Sequence, residues 1–167
     1  MARLKHTLFL ILFGGMTASH GLACSCDGQL DIRSSWNIAS SVFIGRTIAM
    51  DTILVPYADP YSYVRQPIVR YRLIVDRVFK GDISSSDTIV VFTGVSTADC
   101  GVSLRMDRSH IVYGHFDGAV IVRKNDFDSG ARSSTEVLFG LRTYWTDRCD
   151  RTREYDQAEV RELEALR

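Results

Sequence analysis

Long apolar runs are missing from this chain of 167 residues. The longest, Leu8–Phe13, falls far short of the roughly 20 residues a membrane-spanning helix needs, so no such helix is expected. Proline is scarce: three residues, all within the stretch from Pro56 to Pro67. Histidine is scarce too. Of four, His6 and His20 lie in the first twenty residues, which leaves His110 and His115. These are five apart on one predicted strand, so they face opposite sides and cannot jointly hold a metal. Neither sign of charge dominates, with 20 Lys and Arg against 20 Asp and Glu. No basic patch stands out, which argues against nucleic acid and anionic membrane as partners. There is no Gly-x-Ser-x-Gly, no His-Glu-x-x-His and no phosphate-cradling glycine loop. A chain without these constellations is expected to bind rather than to catalyse. It is read as not an enzyme, without a cofactor, and as a monomer.

What is present begins with a leader. Arg3 and Lys5 precede the apolar run, and Gly21 and Ala23 stand at the −3 and −1 positions of a cut before Cys24. That layout predicts a signal peptide over residues 1–23 and one mature domain over 24–167. Removal of the leader leaves 18 basic against 20 acidic residues, a net charge of about −2. Export places the protein outside the cell or in the periplasm.

All four cysteines, Cys24, Cys26, Cys100 and Cys149, lie in the exported part. An even number in an oxidising compartment reads as two disulfides. They lack the paired two-residue spacing of a zinc site. Cys24–Cys26 would close a strained ring, which leaves two pairings open. Either one staples the N-terminus to two distant points, each bond stabilising by about 4–5 kcal/mol on the chain-entropy argument.

The body reads as mainly β. Strands are predicted over Ser41–Val55, Ile68–Asp82, Asp87–Gly94, Gly101–Met106, Ser109–Gly118, Ala119–Asn125 and Ser134–Trp145. Val42 and Ile44 fall on one face of the first strand and Phe43 on the other; Tyr71, Leu73 and Val75 share a face of the second. Many short strands between turn signals point to a sandwich or barrel. Two helices are predicted, Asp31–Ser41 and Thr152–Leu166. The second offers Ala158, Val160, Leu163 and Leu166 as a narrow apolar stripe, and the Glu159–Leu163–Arg167 spacing predicts a solvated outer face. The proline-bearing stretch 56–67 is read as a loop whose Tyr57, Tyr61 and Tyr63 form either a self-packed tip or an aromatic contact surface.

The segment Cys24-Ser25-Cys26 has its own chemistry. If the chain starts at Cys24 and its thiol is in a disulfide, its α-amine and carbonyl oxygen sit one chelate ring apart. An α-amine has an ordinary pKa near 8, so a useful neutral fraction exists at neutral pH. Held rigidly, the two atoms can take an open position on a zinc ion. Ser25 then points away from the body, and rigid presentation lowers the ordering cost of binding.

Cys24–Cys26 at the mature start, Ser40–Gly45 opening the first strand, Val78–Gly81, Asp99–Gly101, and Asp147–Cys149 followed by a helix occur in that order over about 140 residues. In these pieces the chain resembles the netrin-like N-terminal domain of the tissue inhibitors of metalloproteinases, in a short single-domain form. The resemblance implies a five-stranded OB-like β-barrel with two flanking helices and the pairings Cys24–Cys100 and Cys26–Cys149. It implies that the amine and carbonyl of Cys24 chelate the catalytic zinc of a target metalloendopeptidase and that Ser25 enters its specificity pocket. Ala98 and Asp99 would form a second edge of the contact ridge, and the loop carrying Tyr57, Tyr61 and Tyr63 would reach along the protease. The family's third disulfide in this domain has no counterpart, and Asp99 puts a charge where the family tends to be apolar.

Two alternatives stay open. One is a netrin-like extracellular or envelope binding module without a protease target. The other is lipidation: Gly21–Cys24 partly matches a lipoprotein cleavage box, with Leu22 at −2 rather than −3. Lipid on Cys24 would anchor the chain in the envelope and remove both disulfide and chelate.

Overall fold

Alternation of β-branched and aromatic residues with polar ones, relieved by few prolines, gives two long strands. They are β1 (Ser41–Pro56) and β2 (Arg65–Lys80), paired antiparallel along their whole length. The computed structural model describes residues 26, 28, 30–56, 65–116, 121–124, 134–137 and 143–167. The remaining strands are β3 (Thr88–Thr93), β4 (Ser109–Phe116), β5 (Ile121–Lys124), β6 (Ser134–Val137), β7 (Thr143–Trp145) and β8 (Arg153–Glu154). The helices are α1 (Ile32–Ile38) and α2 (Gln157–Leu166).

Five strands close into a ring in the order β1, β2, β3, β7, β4 and back to β1. The β3–β7 step is parallel and the others are antiparallel. β8 lies along β4, and β5 and β6 form a separate two-stranded sheet.

All five ring strands send side chains to one cluster: Phe43, Tyr71, Leu73, Val91, Val112 and Tyr144 among them. That cluster is the ring's interior. The opposite faces of β1 and β4 carry Val42, Ile44, Ile111 and Tyr113, which pack with Ile32 of α1 and with Val160 and Leu163 of α2. The expected separation of Val42 and Ile44 from Phe43 on the two faces of β1 is therefore met; the structure adds that Phe43 points inward and that Val42 and Ile44 lie under the helices. A third cluster, Ile68, Val90 and Phe92 with Ile53 and Trp145, covers the outer side of β2, β3 and β7.

Several expectations need correction. Helix α1 is shorter than Asp31–Ser41. Asp31 is its N-cap, accepting from Ser34 N–H, and Ala39 already turns to extended backbone. Lys80 of β2 donates to the carbonyl of Trp36 at 2.6 Å, a cation at the helix's negative end. Gly101–Met106 is not a strand. Two of its N–H groups find side chains instead of a ladder: Val102 donates to Thr93 Oγ1 and Arg105 to His110 Nε2. Ser134–Trp145 is two strands in two different sheets.

The proline stretch is not all loop, since Pro56 pairs with Arg65 and Leu54 with Pro67. Among the described residues β1 is the only strand hydrogen-bonded to this end of β2, so a residue lacking N–H is tolerated there. The C-terminal helix begins at Gln157, not Thr152, because Asp156 caps it and Arg153–Glu154 joins β4 first. Its predicted solvated face is also wrong. Glu159 is 2% exposed and Leu163 is fully buried, while Ala158, expected in the apolar stripe, is exposed.

Candidate functional site

Cys26 is bonded to Cys149 across 123 residues, with their Cα atoms 5.5 Å apart. Of the two pairings left open by the sequence, this bond belongs to only one. Cys100 is disulfide-bonded as well. Cys24 and Ser25 lie outside the described residues, as do Tyr57, Tyr61 and Tyr63.

Cys149 sits in a single 3-10 turn, Arg148–Asp150, that its neighbours hold shut. Asp147 accepts from Cys149 N–H at 2.6 Å, and Asp150 accepts from Asp147 N–H at 2.8 Å, a reciprocal capping box. The other oxygen of Asp150 meets His115 Nε2 at 2.7 Å, which ties the turn to β4. Burial pushes the Asp150 carboxyl above its ordinary value, opposed by the bond from His115. On either side of the turn, Thr146 and Thr152 bond each other through their hydroxyls at 2.6 Å. Thr146 also donates to Tyr113 O, and Thr152 accepts from Tyr113 N–H. The turn that carries Cys149, the partner of Cys26, is thus held by side-chain hydrogen bonds from several elements.

Cys100 is brought to the same place. Its carbonyl accepts from Arg148 N–H at 2.7 Å, so the two cysteine-bearing segments are neighbours. Cys100 has a left-handed backbone, φ 58°, and ends the 3-10 turn Thr97–Asp99. The loop is folded tightly on itself. A Cβ on Gly94 would stand 2.3 Å from Asp99 O, and one on Gly101 would stand 2.2 Å from Gly94 O, so only glycine fits at either position. The outward side of this loop carries Val95, Ala98 and Asp99, all exposed, with Ser96 Oγ on Asp99 Oδ2 at 3.1 Å.

Beyond Cys26 the chain's path toward α1 is also held. Gly28 N–H donates to Cys26 O at 2.7 Å. Arg151, two residues past Cys149, donates from Nη1 to Leu30 O at 3.0 Å. The rest of its guanidinium grips Glu159, with Nε on Oε1 at 3.0 Å and Nη2 on Oε2 at 3.2 Å. Tyr113 OH donates to the same carboxylate at 2.7 Å. Burial, then the bond to Glu159, drives the Tyr113 hydroxyl far above its ordinary pKa, so it stays a donor. A buried carboxylate with a two-pronged guanidinium and a phenol is satisfied, and it serves here as an anchor.

The structure therefore brings Cys26, Cys149, Cys100, Ala98 and Asp99 to one end of the ring. Glu159, Arg151 and Tyr113, which hold the entering chain, escaped sequence reasoning. They are far apart along the chain or on different elements, and no local pattern signals a buried carboxylate in a polar-looking helix. His110 and His115 face opposite sides as expected, the first buried and the second half-exposed.

Among the described residues no group of three or more His, Cys, Asp or Glu could hold a metal, and no helix is long and apolar enough to cross a membrane. The Cys26–Cys149 bond is compatible with an oxidising compartment. No protein-family model matches the chain, and no curated protein matches it.

Proposed function

We propose that this chain is an exported inhibitor of a zinc metalloendopeptidase, built on an OB-like, netrin-like barrel over residues 24–167. The N-terminus freed at Cys24 is the reactive group: its amine and carbonyl oxygen chelate the target's zinc, and Ser25 enters the target's specificity pocket. Ala98 and Asp99 form the second edge of the contact, and Tyr57, Tyr61 and Tyr63 extend it along the protease. The observation that carries this reading is the Cys26–Cys149 bond, the pairing the family resemblance implies. The grip of Arg151 on Leu30 supports it, because a chelating terminus must be delivered along a fixed path.

The test uses two mature chains, one starting at Cys24 and one with a single alanine before it, assayed against a panel of zinc endopeptidases. Inhibition by the first and loss of at least about a hundredfold in the second (about 2.7 kcal/mol) is the expected result. Equal inhibition by both chains rules out chelation by the Cys24 amine.

A second reading is favoured by one observation: Asp99 is an exposed carboxylate on the ridge edge, where docking on a protease calls for an apolar residue. On that reading the chain is a netrin-like binding module that uses the tyrosine-bearing loop. Replacing Tyr57, Tyr61 and Tyr63 by serine would then abolish partner capture.

A further inference from the structure

The far end of β4 from the cysteines carries an open groove of about 640 Å³, within the usual range of small-molecule sites. Ser109 lies in it, six residues along β4 from His115 and hence about 20 Å from the stapled turn. Its apolar parts are Ile44 and Tyr155, and Tyr155 is 43% exposed. Met106, another exposed large apolar side chain, directly precedes the lining residue Asp107.

The charges in the groove divide into committed and free ones. Arg77 is held by Glu164 at 2.6 Å, and Glu154 by Arg105 at 3.5 Å. Among the described residues Asp76 meets only the Ser109 hydroxyl, at 3.3 Å. The side chains of Asp107 and Arg108 have no partner among the described residues. Although adjacent, these two do not neutralise each other. Asp107 has a left-handed backbone, φ 57°, stabilised by a pair of hydrogen bonds to β1: Asp107 N–H on Thr47 O at 2.9 Å and Thr47 N–H on Arg108 O at 3.1 Å. A rigid turn therefore presents a carboxylate and a guanidinium separately at one groove, with the Asp76 carboxylate on the facing strand.

We propose that this groove binds a zwitterionic ligand of short-peptide size. The ligand carboxylate sits on Arg108, its ammonium group between Asp107 and Asp76, and its apolar side chains over Ile44 and Tyr155. Fixed opposite charges select a ligand by the spacing of its own two charges, and the apolar surface adds affinity without specificity. The site is independent of the cysteine ridge, so it stands whether or not the chain inhibits a protease.

The test titrates the full mature chain with L-leucyl-L-leucine and, separately, with the same dipeptide acetylated and amidated at its ends, following backbone amide resonances. The free dipeptide is expected to shift Ser109 and Tyr155 saturably, and the blocked one to bind at least about tenfold more weakly (1.4 kcal/mol). Asp107→Asn, which tolerates the left-handed backbone, and Arg108→Gln should each weaken the free dipeptide by a similar factor while leaving the spectrum of the unbound protein folded. The proposal fails if no saturable shift appears below about 10 mM. It fails equally if the blocked dipeptide binds as well, if both variants bind normally, or if the shifts map to Val95–Asp99.

Discussion

Arg151 joins the turn that carries Cys149 to two other parts of the molecule through one guanidinium: it forks onto the buried carboxylate of Glu159 in the C-terminal helix and donates to the carbonyl of Leu30 ahead of α1. Arg151→Ala should therefore act in two places. It leaves Glu159, 2% exposed, without its main cation, which costs about 3–5 kcal/mol in urea unfolding. It also frees Leu30, so amide exchange near residues 30–32 should accelerate beyond what the global loss explains. Tyr113→Phe removes only a neutral donor and should cost about 1–2 kcal/mol.

The Cys26–Cys149 bond closes a loop of 123 residues. Replacing both cysteines by serine should lower unfolding free energy by about 2–5 kcal/mol, measured by urea titration. A change under about 1 kcal/mol would mean that the hydrogen bonds around the 3-10 turn and from Arg151 to Leu30 hold the Cys26 segment without the disulfide.

His110 gives a pH dependence. It is buried, its Nε2 accepts Arg105 N–H, and Thr47 Oγ1 lies 3.4 Å from Nδ1. Burial lowers its pKa below the ordinary 6.5, outweighing the Arg108 carbonyl and Glu154, which favour the charged ring. The unfolded chain then takes up a proton at a higher pH than the folded one. The stability contributed by His110 is present above pH 6.5 and is lost as pH falls below it, at up to about 1.4 kcal/mol per pH unit, until the folded ring also titrates. Unfolding followed from pH 8 to pH 5 checks this, with His110→Gln expected to flatten the slope.

On the inhibitor reading, Asp99→Leu should tighten inhibition about tenfold (1.4 kcal/mol) by removing a desolvated charge from the contact edge. Among the described residues Asp99 makes one side-chain bond, an exposed one to Ser96, so the fold should be unaffected. An unchanged inhibition constant would place the loop outside the contact.

The mainly β character was readable because strand alternation is a local signal: Tyr71, Leu73 and Val75 share a face in the sequence and meet inside the ring. The cysteines were readable as a staple but not as a pairing, since connectivity is set by where the turns converge. The Gly101–Met106 segment deceived because the N–H groups of Val102 and Arg105 are satisfied by the side chains of Thr93 and His110, on other elements, and not by a strand ladder. Glu159 deceived for the same reason. A helix period identifies a polar position, and only the tertiary neighbours Tyr113, Arg151 and Arg153 make that position buried. Asp107 and Arg108 look like ordinary turn residues, and their bonds to Thr47 exist only once β1 and β4 are side by side.

The bond from Cys26 to Cys149 also imposes an order of events on biosynthesis. The first of these thiols leaves the ribosome 123 residues before the second. At about 5–20 residues per second, the segment bearing Cys26 lacks this tether for roughly 6 to 25 seconds. The segment that carries Cys26 is therefore covalently fixed only after Cys149 has been made, behind all eight described strands but the last.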